Sequence, residues 1–163
     1  METKMKNMSW HEYFMKMATL VASKSKDRST KVGAVLVGEG NAVLGVGYNG
    51  MVRNINDNLD IRHERPQKYS WFEHSERNCI YNAARHGVKV GGAKLYISGH
   101  GTPCADCARA IIQSGIVEII TLYGKFDGKG ALWEENMKIS LEMLKEAGVK
   151  ITWLDDDFNE IAV

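Results

Sequence analysis

Residues 74–122 read HSERNCIYNAARHGVKVGGAKLYISGHGTPCADCARAIIQSGIVEIITL, and the way this stretch alternates between helical and extended patterns decides the fold. His74 to His86 has helical spacing with Gly87 as its stop, and Lys94 to Ser98 is a short apolar run of strand type. Cys104 to Ser114 repeats the helical pattern and closes on Gly115, before a second apolar run from Val117 to Leu122. Strands joined by a helical crossover are parallel and right-handed in nearly all sheets. The stretch therefore reads as the parallel half of an α/β sheet.

It also carries chemistry at both of its helix starts. His74-Ser75-Glu76 opens the first helix, and Pro103-Cys104-Ala105-Asp106-Cys107 opens the second. Two cysteines three positions apart on a helix differ by about 300° of rotation, so both sulfurs project from one face toward a shared ion. With His74 they make three zinc ligands, and an open fourth position separates catalytic from structural zinc sites. Glu76, turned by about 200° from His74, is badly placed to ligate but well placed to sit beside a reacting water as a proton carrier. The helix dipoles at both starts favour thiolate over thiol.

Working outward, Ser9 and Glu12 form a capping box for a first helix over Ser9 to Ser23, whose Trp10, Tyr13, Phe14, Met17, Leu20 and Val21 form a core-facing stripe. Lys31 to Val37 and Ala42 to Tyr48, joined by Gly38-Glu39-Gly40-Asn41, read as a β-hairpin. Residues 51–73 show no period and form one long connection, a type of segment that is often functional. Trp133, Met137, Leu141 and Leu144 mark a last helix over Leu132 to Ala147, and Val149 to Leu154 a last strand. The order αββαβαβαβ predicts a three-layer α/β/α domain over residues 1–163, with a mixed five-stranded sheet whose fifth strand runs parallel to the fourth.

Bulk properties narrow the function. Twenty-one Lys plus Arg against 20 Asp plus Glu give a net charge of +1, which argues against the broad positive field of a dedicated nucleic-acid binder. The first eight residues have no signal-peptide run, and no stretch approaches the roughly 20 apolar residues of a membrane span. Three cysteines, two at metal spacing, fit a reducing compartment, so a cytoplasmic protein without membrane or nucleic-acid partners is expected. Cys79 is turned away from the metal and belongs to the core.

Further pieces carry a resemblance. They are Ser25-Lys26-Asp27 with Thr30-Lys31-Val32-Gly33-Ala34, Gly47-Tyr48-Asn49-Gly50, Lys68-Tyr69 before His74-Ser75-Glu76, Asn78, Ile111-Ile112-Gln113, Gly115-Ile116 and Lys125-Phe126. Together with H-x-E and P-C-x-x-C, the signature of zinc deaminases, they make the chain resemble the cytidine and deoxycytidylate deaminase superfamily, closest to its dCMP branch. The resemblance implies zinc-dependent hydrolysis of dCMP to dUMP and ammonia in deoxynucleotide metabolism that supplies dTTP. The alternatives are related deaminases acting on dCTP, CMP, guanine or tRNA adenosine, and a module that uses zinc only for folding.

In that reading His74, Cys104 and Cys107 hold one Zn²⁺, which lowers the pKa of a water, while Glu76 moves its protons. The Ser75 N–H and the carbonyl near Thr102 or Pro103 hold the base, Asn49 contacts the sugar, and Phe126 stacks on base or sugar. The 5′-phosphate needs a cation, and Lys26, within the basic cluster Lys24, Lys26, Arg28 and Lys31, is the nearest choice. The family also implies a homohexamer built from dimers, with dCTP and dTTP as effectors, Mg²⁺ accompanying the effector, and Tyr48, Gly50 and Arg53 as candidates to bind it. Two departures stand out: Ser75 replaces the usual alanine of His-Ala-Glu, and Met51-Val52-Arg53 replaces the Pro and Gly common after Gly50.

Overall fold

A computed structural model describes residues 7–124 and 131–163. Helix α1 (Trp10–Ala22) is followed by the hairpin of β1 (Gly33–Val37) and β2 (Val43–Tyr48). The short strands β3 (Gly50–Met51) and β4 (Phe72–Glu73) flank a long connection that contains the one-turn helix α2 (Lys68–Trp71). Then α3 (Ser75–Arg85), β5 (Lys94–His100), α4 (Ala105–Gln113), β6 (Glu118–Leu122), α5 (Ala131–Glu146), β7 (Lys150–Leu154) and β8 (Glu160–Ile161) complete the chain.

The main sheet has the order β2-β1-β5-β6-β7-β8. β1 pairs antiparallel with β2 and β5, whereas β5, β6 and β7 are mutually parallel, as the helical crossovers require. Five strands match the pattern read from the sequence. The sixth, β8, is two residues held antiparallel to β7 by a turn in which Asp155 accepts from the Asn159 N–H at 2.8 Å. It is too short to leave a periodic signal.

Strand alternation sorts the core into two faces. Ala34, Leu36, Leu95, Ile97 and Ile119 point to the side covered by α3, α4 and α5, meeting Cys79, Ala83, Ile111 and Leu144. Val35, Val37, Tyr96 and Ile120 point to the other side, meeting Phe14, Met15 and Ala18 of α1. Each fully buried aliphatic or aromatic side chain contributes about 1.5–3 kcal/mol relative to exposure.

The apolar stripe expected on α1 is offset from the true one. Phe14 is buried, but Trp10 is 57% exposed and Leu20 72%, and the contact face is instead Phe14, Met15, Ala18 and Ala22. The reason is a close approach. A Cβ added to Gly33 would lie 2.0 Å from the Ala18 carbonyl oxygen and 2.6 Å from the Ala22 nitrogen, so this part of α1 rests directly on β1 and Leu20 is turned out. The capping box is half made: Ser9 Oγ accepts the Glu12 N–H at 3.1 Å, while the Glu12 carboxylate goes to Lys16 Nζ at 2.6 Å.

A second close approach positions the site. A Cβ on Gly47 would meet the Cys79 backbone nitrogen at 2.3 Å and the Ser75 carbonyl oxygen at 2.7 Å. Gly47 therefore seats the first turns of α3 against β2. The connection over residues 51–73 is more ordered than its sequence pattern implies. β3 and β4 pair across its ends, Arg62 lies 4.1 Å from the Trp71 ring centroid, His63 bonds the Asp57 carbonyl at 2.7 Å, and Arg28 reaches in to Asp60 at 2.8 Å.

Candidate active site

The N-termini of α3 and α4 converge beyond the sheet. His74 and Cys104 are the cap residues of these helices, both with extended backbone, and neither side chain caps its own helix. Both are thus free to point into the space between. His74 Nδ1 lies 3.4 Å from Cys104 Sγ and 3.4 Å from Cys107 Sγ, and the three ligand atoms all fall within 4.8 Å of one another. Tetrahedral zinc, at about 2.0–2.1 Å from nitrogen and about 2.3 Å from sulfur, spaces such ligand atoms roughly 3.6 Å apart. The two nitrogen–sulfur spacings lie within tenths of an ångström of that value.

Their charge state fits a cation too. A hydrogen bond from Cys107 and another with His74 hold the Cys104 thiol down at about 5, against its burial. The same bond, with burial, keeps Cys107 well above the ordinary thiol range, and the Cys104 contact raises His74 to about 9. At neutral pH the metal-free group is therefore one thiolate, one thiol and one imidazolium. Here the structure refines the sequence reading, in which helix dipoles favoured both thiolates: two anions in contact repel, so the second forms only when a metal displaces the proton.

Glu76 is 7% exposed and stands outside the ligand group. It lines a cavity shared with His74, Cys104, Asn49, Ser75, Thr102 and Pro103, with walls from Arg65, Lys68, Tyr69, Phe72, Trp133 and Met137. The Ser75 hydroxyl donates to Glu76 Oε2 at 2.8 Å. Helix α5 braces the cysteine turn from outside: Asn136 Oδ1 accepts the Ala105 N–H at 2.8 Å, and Ser140 donates to the Pro103 carbonyl at 2.6 Å. The Pro103 carbonyl is so engaged, whereas no loop or turn bond among the described residues reaches the Thr102 carbonyl.

Behind the ligands, Arg77 pairs with Glu73 and lies 3.8 Å from Asp106. Burial opposes its charge, but its electrostatic interactions with Cys107, Glu73 and Cys104, and its bond to Glu73, overcome that and hold it above its ordinary value. Cys79 is fully buried and pushed up to about 12 by that burial, an inert core thiol as its helical position implied.

The cavity wall also contains a buried polar network. Asp27 Oδ1 accepts from Lys68 Nζ at 2.7 Å and from the Ser29 N–H at 2.8 Å, and Lys68 also reaches Ser29 Oγ at 2.6 Å. Burial works against ionisation of Asp27, yet these bonds prevail and keep its carboxyl below the usual range. Asn49 donates to Asp27 at 3.0 Å and to the Thr30 carbonyl at 2.8 Å, and accepts the Val32 N–H at 2.7 Å. It lines the cavity chiefly as a tie for the loop over residues 27–32, with one lone pair of Oδ1 to spare.

Other residues singled out in the sequence fall elsewhere. Lys26 is 73% exposed on its side chain, pairs with Asp57 and is not part of the cavity wall. Local charge density could not reveal that partner, which lies 31 positions away. Phe126 lies outside the described residues. Tyr48, Gly50 and Arg53 sit at the β2–β3 end, where Asn78 donates to the Tyr48 carbonyl at 2.8 Å and Arg53 donates to Asn82, away from the cavity. Sequence reasoning missed Arg65, Phe72, Trp133 and Met137 as wall residues. Trp133 and Met137 were visible only as a helical stripe, and Arg65 lies in the connection without a period.

An α/β/α sandwich with an open His/Cys/Cys group and a free carboxylate beside it defines a metal-dependent hydrolytic centre. The chain belongs to the cytidine and deoxycytidylate deaminase family, whose zinc-binding region matches residues 8–123. Deoxycytidylate deaminase of Mus musculus is 34% identical over 161 residues, covering 96% of this chain and 85% of the mouse protein. An uncharacterized deaminase of Aliivibrio fischeri is 37% identical over 148 residues, covering 91% of this chain and 95% of its own. The fold is that of the dCMP deaminase from cyanophage S-TIM5, crystallised with dCMP and dUMP, at a TM-score of 0.70 and 24% identity over 91% of this chain and all of the phage chain (100%).

Proposed function

We propose that the chain hydrolyses dCMP to dUMP and ammonia. The observation that carries this reading is a carboxylate outside the His74, Cys104 and Cys107 group, Glu76, lining the same cavity as His74 and Cys104, with a guanidinium, Arg65, in the wall. The kinship with deoxycytidylate deaminases supports it. Bound by His74, Cys104 and Cys107, zinc supplies the Lewis acidity that makes water a nucleophile at neutral pH.

The protein groups do the rest. Glu76 takes a proton from the water that attacks C4 and hands it to ring N3, then carries the proton of the new C4 hydroxyl to the departing amine as the C4–N4 bond breaks. The Ser75 N–H and the Thr102 carbonyl hold the polar edge of the base, and Asn49 offers its remaining lone pair to the sugar. Phe72 and Trp133 supply apolar wall for the ring.

Arg65 receives the 5′-phosphate. Lys68 also lines the wall, but its ammonium is committed to Asp27 and Ser29, whereas among the described residues Arg65 spends only Nε, on the Tyr69 hydroxyl at 2.9 Å. Arg65→Gln is expected to raise KM for dCMP by about 10- to 100-fold, with kcat nearly unchanged, since a phosphate contact serves ground and transition state alike. Ammonia release from a panel of dCMP, CMP, dCTP, deoxycytidine, guanine and tRNA checks both readings. Turnover of a member other than dCMP, with dCMP inert, removes the substrate assignment; an unchanged KM in the variant removes Arg65.

We also place the protein in the cytoplasm as a homohexamer under dCTP and dTTP control, with Mg²⁺ on the effector and Tyr48, Gly50 and Arg53 at the effector site. Exposed Val43, Val46 and Tyr48 on the edge strand β2, with Val52 and Tyr81 also exposed, support a second copy covering that edge. The free thiols Cys79, Cys104 and Cys107 suit a reducing compartment. No helix among the described residues is long and apolar enough to cross a membrane. Light scattering is expected to give six chains, and dTTP to raise the dCMP concentration needed for half-maximal rate; a monomer indifferent to both nucleotides overturns this.

A further inference from the structure

Ser75 is fully buried, and its hydroxyl has one hydrogen-bond acceptor among the described residues, Oε2 of Glu76 at 2.8 Å. Ser75 is the first residue of α3, so no preceding helical turn offers its hydroxyl a carbonyl. Leaving a buried hydroxyl without a partner is costly, so the bond to Glu76 persists. The other carboxylate oxygen, Oε1, accepts no hydrogen bond from a described residue, although Glu76 lines the cavity. The two oxygens of one carboxylate thus have different surroundings.

We infer that Ser75 is a positioning residue for the proton carrier: its hydroxyl clamps Oε2 and dedicates Oε1 to proton transfer. A carboxylate free to rotate spends part of its time with neither oxygen on the reacting atoms, and small misplacements of a reacting group cost rate steeply. The clamp removes that rotation. During the reaction Oε1 takes one proton from water as the water oxygen bonds to C4, and releases it to N3. It then carries a second proton from the C4 hydroxyl to the amine as the C4–N4 bond breaks, and the Ser75 hydroxyl keeps its own proton throughout. A donor so arranged acts on the chemical step and leaves nucleotide binding untouched.

The inference rests on Glu76 being the proton carrier. Ser75→Ala, which removes one oxygen and installs the best helix former, is expected to lower kcat for dCMP about tenfold. KM, the inhibition constant of dUMP, the thermal midpoint and one zinc per chain should stay unchanged. Ser75→Gly removes the same hydroxyl and must show the same split between kcat and KM. An unchanged kcat in the alanine variant overturns the proposal. So does a loss of zinc, a raised KM with kcat preserved, or a fall in kcat in only one of the two variants, each of which assigns the hydroxyl to packing. Failure of the underlying reading is separately visible, because Glu76→Gln would then retain turnover.

Discussion

Replacing Glu76 by Gln is expected to lower kcat for dCMP by about a thousandfold while one zinc per chain remains bound. The side chain is 7% exposed and stands apart from the His74, Cys104 and Cys107 ligand group, so its removal takes nothing from the metal. Gln preserves its volume, and the amide oxygen can still accept the Ser75 hydroxyl, so neither a void nor an orphaned donor is created. What disappears is the ability to take and return a proton. Typical contributions of a positioned acid–base group are about 10²- to 10⁴-fold, and Glu76 serves two transfers, which argues against the low end of that range. Ammonia release together with metal analysis of the purified variant checks this. Zinc lost in parallel with activity would make Glu76 a ligand, and a retained kcat would move the proton chemistry elsewhere.

Cys104→Ala is expected to remove both zinc and detectable deamination, and to lower the thermal midpoint. Its sulfur is the thiolate of the metal-free group, held down at about 5, so it supplies the anionic charge that first attracts a dication. Without it, His74 and Cys107 remain as a two-ligand fragment, too few for the tetrahedral site.

The same protonation pattern fixes how zinc affinity depends on pH. Between about 5 and 9, binding must displace one proton from His74 and one from Cys107, because His74 titrates at about 9 and Cys107 well above the ordinary thiol range. Affinity should therefore fall by about two orders of magnitude for each pH unit of acidification in that window. Below about 5 the Cys104 thiolate is also protonated, and the dependence steepens to about three. Competition with a chromophoric chelator at several pH values measures the slope. A slope near zero across the window would mean that the three residues are not the ligands, as would a Cys104→Ala chain that keeps its zinc.

The parts of the fold that were legible in the sequence are those made by contacts within a few residues. The α3 and α4 helices start at His74 and Cys104 and end at Gly87 and Gly115, both with positive φ, because capping and left-handed stops are local properties. The hairpin of β1 and β2 and the parallel order of β5, β6 and β7 likewise followed from strand alternation and crossover length. Where the contact is distant, local pattern misled. The stripe of α1 was misplaced because its orientation is set by Gly33 on a neighbouring strand, and no periodicity within the helix encodes that.

The pairing of Cys104 with Cys107 was legible in the sequence, since a helical turn converts three-residue spacing into a shared face, and the fold brings His74 to them while Glu76 stays outside the group. Which cation stands in the cavity wall outside an ion pair was visible only in the tertiary structure. Lys26 is drawn outward by Asp57, Lys68 is neutralised by Asp27 from 41 positions away, and Arg65 alone of these three keeps the forked end of its side chain out of an ion pair among the described residues. A charged side chain goes where its counter-ion and its solvation take it. Those are properties of the folded neighbourhood, written by residues that sequence distance keeps apart.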